Sequence, residues 1–271
     1  MKSRATQTKE LDMVNGPLAR KILIYSIPLM FSNLLQVFFN MTDVAVVGKF
    51  AGARALGSVG STTIIITLTT GILLGMGGGV NAVTALHMGA EDYQRVHKTV
   101  HTSVILCFIA GLLLLVAGLA FSKPLLEVMN TKPELIDGAT AYLMIYLCGS
   151  PALALYNFGN GVLSAVGDTK RPLIYLSISG IINIVLNLFF VIVYRLGVIG
   201  VAIASIIAQY ISAALIIRFL LKTYGSYGLH MTDIAIDRDA AAAGLRIGVP
   251  AAIQYSLFAI ANICIQTSIN S

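Results

Sequence analysis

The sequence predicts an all-α polytopic membrane protein: a six-helix transmembrane bundle with a partial seventh helix. Of 271 residues, 57% are hydrophobic and 11% charged, where ordinary soluble domains run roughly 25% charged. Six stretches of about 20 or more mostly apolar residues follow one another, each long enough to cross a bilayer. Short polar connectors separate them. Such a composition excludes a water-soluble enzyme, a disordered tail and a nucleic-acid-binding module.

The polar tail 1–21 precedes the first apolar run, which extends from Ile22 to Val47. That run is too long for the apolar core of a signal peptide and has no small-residue cleavage site after it, so it stays in the mature chain. The following runs are Gly57 to Leu86, Thr99 to Phe121, Gly138 to Val166, Leu173 to Tyr194 and Gly197 to Leu221. The connectors hold Lys49 and Arg54, Glu91 to Lys98, Lys123 to Asp137, Asp168 to Arg171, Arg195, and Lys222 to Asp239. The expected organisation is a tail over 1–21, a six-helix lobe over 22–222, a connector over 223–244 and an incomplete seventh helix over 245–271.

Counting Lys and Arg on alternate sides orients the chain. Lys2, Arg4, Lys9, Arg20, Lys21, Arg95, Lys98, Lys170, Arg171, Arg218, Lys222, Arg238 and Arg246 fall on one side, against Lys49, Arg54, Lys123, Lys132 and Arg195 on the other. The positive-inside rule then puts the N-terminus in the cytoplasm and makes this a multi-pass protein of the cytoplasmic membrane, with the lipid bilayer as its main partner. The net charge of +6 is spread among connectors and forms no stripe for nucleic acid. Cys107, Cys148 and Cys264 lie far apart within apolar runs and read as core packing.

The seventh run ends at Ser271 without a flanking charge, so the sequence reads as a fragment of a longer protein. A shift of 222 residues lays Leu23 over Leu245, Pro28 over Pro250 and Asn40 over Asn262. Transporter halves related by a parallel repeat leave such a trace, and on that reading the C-terminal half is almost wholly missing.

Eleven of the twelve acidic residues fall in the tail or connectors, and Asp43 alone lies inside an apolar run. A carboxylate at mid-bilayer costs about 2.5 to 3.5 kcal/mol on insertion scales, so it usually faces a wet cavity and serves an ion or proton path. An upright 26-residue helix is about 39 Å long and would leave Asp43 near the outer boundary, where a plain interfacial Asp is the alternative. Asn33, Gln36, Asn40 and Asp43 are spaced to share one helix face, which lipid does not tolerate. Ser179, Asn183 and Asn187 in the fifth run, and Ser205 and Gln209 in the sixth, form matching polar faces. Oxygens from these residues beside one carboxylate suit a hard cation or a proton; interhelical hydrogen bonding is the other reading. Pro28 removes a helix hydrogen bond and is a candidate hinge.

Several other features carry less. Gly71, Gly75, Gly77, Gly78 and Gly79 lack a following Gly-Lys-Ser/Thr and the third glycine of a dinucleotide motif, so they signal close helix packing. No motif for ATP appears, and transport would run on an ion gradient without an organic cofactor. His97 and His101 are spaced for two metal ligands on one helix face, yet the sequence offers no third nearby, and an interfacial role is expected. Asp168 follows Gly167, but topology sets it at the opposite edge from Asp43, so the two cannot share a proton.

Asn40-Met41-Thr42-Asp43-Val44-Ala45-Val46-Val47-Gly48 resembles the end of the first helix in multidrug and toxic compound extrusion (MATE) transporters. Gly161-Val162-Leu163-Ser164-Ala165-Val166-Gly167-Asp168-Thr169-Lys170-Arg171-Pro172 resembles the family's fourth-to-fifth helix connector, Asn183 to Asn187 its fifth helix, and Gly197 to Gln209 its sixth. The resemblance covers essentially the whole chain. It implies one lobe of a two-lobe, twelve-helix transporter that exports small cationic or amphipathic organic compounds in exchange for H⁺ or Na⁺. It further implies that Asp43 is the coupling carboxylate, with Asn183, Asn187 and Ser205 as oxygen partners and Pro28 as the bend of helix one. Gln36, Asn40, Ser179 and Gln209, with Asn33, would line the cavity. Some relatives carry Asp at the position of Asn187 and Thr at that of Ser205, which leaves the choice between H⁺ and Na⁺ open. A flippase for lipid-linked or polysaccharide substrates is the alternative within transport; it would need cavity Lys or Arg for phosphates, and the polar faces of the apolar runs carry none. A third reading is a non-transporting membrane protein that needs a separate C-terminal half.

Overall fold

A computed structural model describes residues 18–270, with side chains described over 22–32, 34–257 and at 261. Cys264, Asn262 and the tail charges therefore lie outside the described side chains. The described residues are all helix and connector: α1 Leu18–Val46, α2 Gly52–Gly89, α3 Tyr93–Val128, α4 Pro133–Leu147, α5 Ser150–Ala165, α6 Lys170–Leu188, α7 Val198–Lys222 and α8 Arg238–Asn270. Length and apolar character suffice for membrane crossing in Ile22–Gly89, Tyr93–Val128, Lys170–Val193 and Val198–Lys222, and in α4 plus α5 taken as one bent span.

The first of these stretches has 68 residues, about 100 Å at 1.5 Å per residue, far more than one bilayer. It is divided by the π turn Val47–Ala51 and by Gly52, whose φ of +87° interrupts helical geometry and is open to glycine because glycine has no Cβ. Elsewhere the helices start and stop on local chemistry. Asp92 caps α3 by accepting the Arg95 N–H at 3.1 Å, as an N-cap carboxylate does. Pro133 opens α4, where its missing N–H has no helical partner to lose. Gly197, at φ +56° and ψ −129°, turns the chain into α7.

Two connectors are shorter than the charge pattern suggests. Helix α3 already begins at Tyr93 and runs to Val128, so Arg95, Lys98 and Lys123 are helical; charged side chains at helix ends can reach the interface while the backbone stays helical. Helix α8 begins at Arg238, ahead of the apolar run.

The fourth apolar run is a bent pair. Helices α4 and α5 meet at 44° across Cys148 and Gly149, with Pro151 in the first turn of α5. Proline cannot donate back into α4, so the ladder breaks there. Helix α7 covers the break: Tyr210 Oη donates to the Cys148 carbonyl at 3.2 Å, and the Gln209 amide lies directly against Gly149.

Helix α5 forms the centre, packed on α2, α3 and α7. Its Phe158, Val162 and Leu163 are fully buried with Val100 of α3 and Ile216 and Leu220 of α7. Glycines allow the closest approach. A Cβ on Gly77 would lie 2.8 Å from the Asn157 carbonyl, and one on Gly111 would lie 2.7 Å from Pro151 Cα. Helix α8 runs antiparallel along α2, where Gly71, Gly75 and Gly79 face Tyr255, Ala252 and Gly248 in turn. The outer faces carry apolar side chains into the surroundings: Leu23, Met30, Leu34 and Met41 of α1 are 61–65% exposed, as a lipid-facing surface requires.

Candidate functional site

Asp43 stands near the C-terminal end of α1, three residues before the helix gives way to the π turn. Helix α1 packs against α6, and α6 against α7, so the polar faces of three helices converge on this carboxylate. Asn187 Nδ2 donates to Asp43 Oδ1. Ser205 Oγ donates to Asp43 Oδ2 at 3.2 Å. Asn183 Nδ2 donates to Ser205 Oγ at 3.4 Å, and the second N–H of Asn187 reaches Asn183 Oδ1 at 3.2 Å. Asp43, Asn187, Asn183 and Ser205 thus close a ring of four hydrogen bonds across three helices.

Donors and acceptors in this ring are unequally matched. Asn187 is wholly buried, and its own Oδ1 has no hydrogen-bond partner, although buried amide oxygens are ordinarily satisfied. Asn183 is buried too, whereas Asp43 is half-buried and opens onto a cavity. The site therefore holds a carboxylate, an unused amide oxygen and a hydroxyl close together, which is hard-oxygen chemistry for a monovalent cation or a proton. Lipid alone could not stabilise such a set.

The cavity beside the ring has a volume of about 310 Å³. From α1 it takes Gln36, Asn40 and Asp43, from α6 Ser179 and Asn183, and from α7 Ser205 and Gln209. Asn187 is not at its surface and sits behind Asp43. The side chain of Asn33 lies outside the described residues. Pro28 is buried within α1, away from the cavity wall, and its carbonyl accepts a hydrogen bond from Ser32 Oγ at 3.0 Å. Gly180 brings α6 against the Phe39 ring, which closes one side of the space.

The other walls were not among the sequence-derived candidates. Thr67 and Thr70 come from α2, Tyr146 from the last turn of α4, Asn157 from α5 and Tyr255 from α8. Thr67 could have been suspected from its place between apolar residues, but Tyr255 and Asn157 carry no periodic signal. Among the described residues, no Lys or Arg lines the cavity. Asp168 is paired with Arg171 of α6, whose guanidinium lies 4.4 Å from the Phe219 ring, so it serves the α5–α6 connector and stays apart from Asp43. One expectation needs correction: His97 and His101 do have further ligand-type neighbours, because the connector before α8 returns His230 and Asp233 to them.

Comparison with known proteins places these features. The MatE family model matches residues 28–189. The Bacillus subtilis "Probable multidrug resistance protein YpnP" is 27% identical over 267 residues, which are 97% of this chain and 59% of that protein. A multidrug resistance MATE family transporter of the MOP superfamily, solved in an outward-facing conformation, superposes with a TM-score of 0.88 at 26% identity, over 94% of this chain and 57% of that one. A MOP superfamily transporter from Pyrococcus furiosus gives the same score, identity and coverage. The chain spans about half the length of the relatives it matches.

Proposed function

The chain belongs to the MatE family of transporters, which are not enzymes, and from that premise we propose that it serves secondary active multidrug efflux by exchange of H⁺ or Na⁺ for small cationic or amphipathic organic compounds. The observation that carries this reading is the ring around Asp43: a half-buried carboxylate at the edge of a polar cavity, backed by a buried Asn187 whose oxygen is unpartnered. Asp43 is the coupling carboxylate, and Asn183, Asn187 and Ser205 complete its oxygen environment. Gln36, Asn40, Ser179 and Gln209 line the substrate side. Entry of a cation at Asp43 changes the charge and hydrogen bonding among α1, α6 and α7, and that difference favours one helix arrangement over another. Pro28, which leaves the Ile24 carbonyl without its usual helical donor, is the place for α1 to bend.

On this reading residues 22–222 are one lobe, 223–244 the connector, whose last residues already belong to α8, and 245–271 an incomplete seventh transmembrane helix, with the N-terminus in the cytoplasm as the Lys and Arg asymmetry indicates. A cavity with a carboxylate and without a cationic side chain favours positively charged cargo over phosphorylated lipid carriers. The test is dye export from drug-sensitised cells that express the chain in its natural reading frame, with and without Asp43→Asn. Dye retention should rise to the level of cells lacking the protein. Unchanged export removes Asp43 from the mechanism.

A further inference from the structure

A second cluster of chemistry-bearing side chains lies beside the α2–α3 turn, and none of its members lines the cavity. His97 and His101 stand one turn apart on α3 with ring centroids 4.0 Å apart. The connector before α8 folds back onto them. The His230 backbone N–H donates to His101 Nε2 at 2.9 Å, and Asp233 Oδ2 lies 3.3 Å from His97 Nε2. One ligand-type atom from each of His97, His101, His230 and Asp233 lies within 4.8 Å of all the others.

Three observations separate this group from a merely solvated cluster. His230 Nδ1 is buried and has no hydrogen-bond partner, so one imidazole nitrogen beside the cluster is left unused. The 3.3 Å between His97 Nε2 and Asp233 Oδ2 matches the edge of a zinc tetrahedron, which is roughly 3.3 Å for bonds of about 2.0 to 2.1 Å. Both sides of the cluster are also held by further bonds. His101 Nδ1 pairs with the His97 carbonyl at 2.8 Å, the backbone contact that usually fixes the tautomer of an imidazole facing a metal. Thr102 Oγ1 donates to the Ala235 carbonyl at 3.2 Å and accepts the Asp237 N–H at 2.9 Å, while Lys98 Nζ reaches Asp237 at 3.0 Å. The connector is thereby laid along the first turns of α3 in a fixed register.

We propose that His97, His230 and Asp233 coordinate one divalent transition-metal ion of the zinc type, with a water as fourth ligand and His101 as a positioning residue that holds His230. Two imidazoles and a carboxylate suit zinc, whereas magnesium and calcium prefer oxygen alone. The ion clips the connector that leads into α8 to the start of α3, independently of Asp43.

Purified chain in detergent, stripped with a chelator, is titrated with Zn²⁺ against a chromogenic chelator and separately with Co²⁺, followed by its d–d absorption. The expected result is one ion per chain and the intense bands of tetrahedral Co²⁺. His97→Ala, His230→Ala and Asp233→Asn should each weaken binding at least tenfold. His87→Ala, which removes the remaining histidine of the four in the chain, should leave it unchanged. His101→Asn should keep a stoichiometry of one while shifting the Co²⁺ bands; loss of the ion would instead make His101 a ligand and overturn its positioning role. Absence of stoichiometric Zn²⁺ binding, an octahedral Co²⁺ spectrum, or equal affinity in the His97→Ala/Asp233→Asn double variant overturns the site. Should the variants fail to fold, the stoichiometry and Co²⁺ spectrum of the unaltered chain decide alone.

Discussion

Neighbouring glycines of α2 give a sharp prediction, because Gly78 and Gly79 differ by one position and point in different directions. A Cβ on Gly79 would lie 2.8 Å from the Gly244 carbonyl oxygen and from N and Cα of Gly248, where ordinary contact begins at 3.4 Å. Helix α8 would have to retreat by about 0.6 Å, the difference between those distances. Backbone cannot rotate out of the way as a flexible side chain can. Overpacking of this kind costs typically about 1 to 3 kcal/mol, offset by up to about 1 kcal/mol of helix propensity gained on Gly→Ala. Gly79→Ala is therefore destabilising by up to about 2 kcal/mol. At Gly75 the added carbon falls within the Ala251–Ala252 backbone, and the loss should reach about 2 kcal/mol or more. At Gly78 nothing lies within 4 Å, so Gly78→Ala keeps the propensity gain, up to about 1 kcal/mol. With about 2 to 4 °C of midpoint shift per kcal/mol for chains of this size, thermal unfolding in detergent should rank Gly78→Ala highest, then the unaltered chain, Gly79→Ala and Gly75→Ala. Equal shifts for Gly78→Ala and Gly79→Ala, or a gain for Gly75→Ala, would refute the packing argument.

Other perturbations test single contacts. Ser205→Ala removes the bonds to Asp43 and from Asn183; interhelical bonds in membranes average about 0.6 kcal/mol, so the midpoint should fall by only a few degrees, with dye export reduced less than in Asp43→Asn. Tyr25→Phe deletes the 3.1 Å bond to the Ser164 carbonyl that ties α1 to the end of α5, and unfolding measurements should show a loss of about 1 kcal/mol or less. The Ala240 backbone N–H and the Lys98 ammonium hold the Asp237 carboxyl below the usual carboxylate range. A lowered folded value means that its contribution is complete above the ordinary value of about 3.9 and is lost as pH falls through the folded one. Hydrogen exchange over residues 230–237, corrected for intrinsic rates, should accelerate below about pH 4 in the unaltered chain, and Asp237→Asn should flatten that response. A profile identical in both would remove Asp237 as the pH-sensitive anchor.

Much of the architecture was legible in the sequence because the hydrophobic requirement for crossing a bilayer acts on each segment separately. The apolar runs mark where α1, α2, α3, α6 and α7 lie, and the spacing of Gln36, Asn40 and Asp43 marks a face that cannot meet lipid. The bend between α4 and α5 was harder to see. Pro151 lies inside the fourth apolar run, but whether a proline merely kinks a span or divides it depends on packing from other helices, here α7, whose Tyr210 bonds the Cys148 carbonyl at the break.

Composition and periodicity by themselves determined a membrane bundle with one carboxylate inside an apolar run and polar stripes on three helices. They could not say how each helix is rotated against its neighbours, since that depends on side-chain volumes from segments far apart in the chain. Tertiary packing decided that Asn187 stands behind Asp43 while Ser205 stands beside it, and that Asn157, Thr67 and Tyr255 wall the same cavity. It also decided that residues 230 and 233, over 120 positions after His97, return to complete a cluster that a scan along α3 left at two histidines. Periodicity reports the surroundings of one helix face, whereas a site is an intersection of several faces, and only the fold computes that intersection.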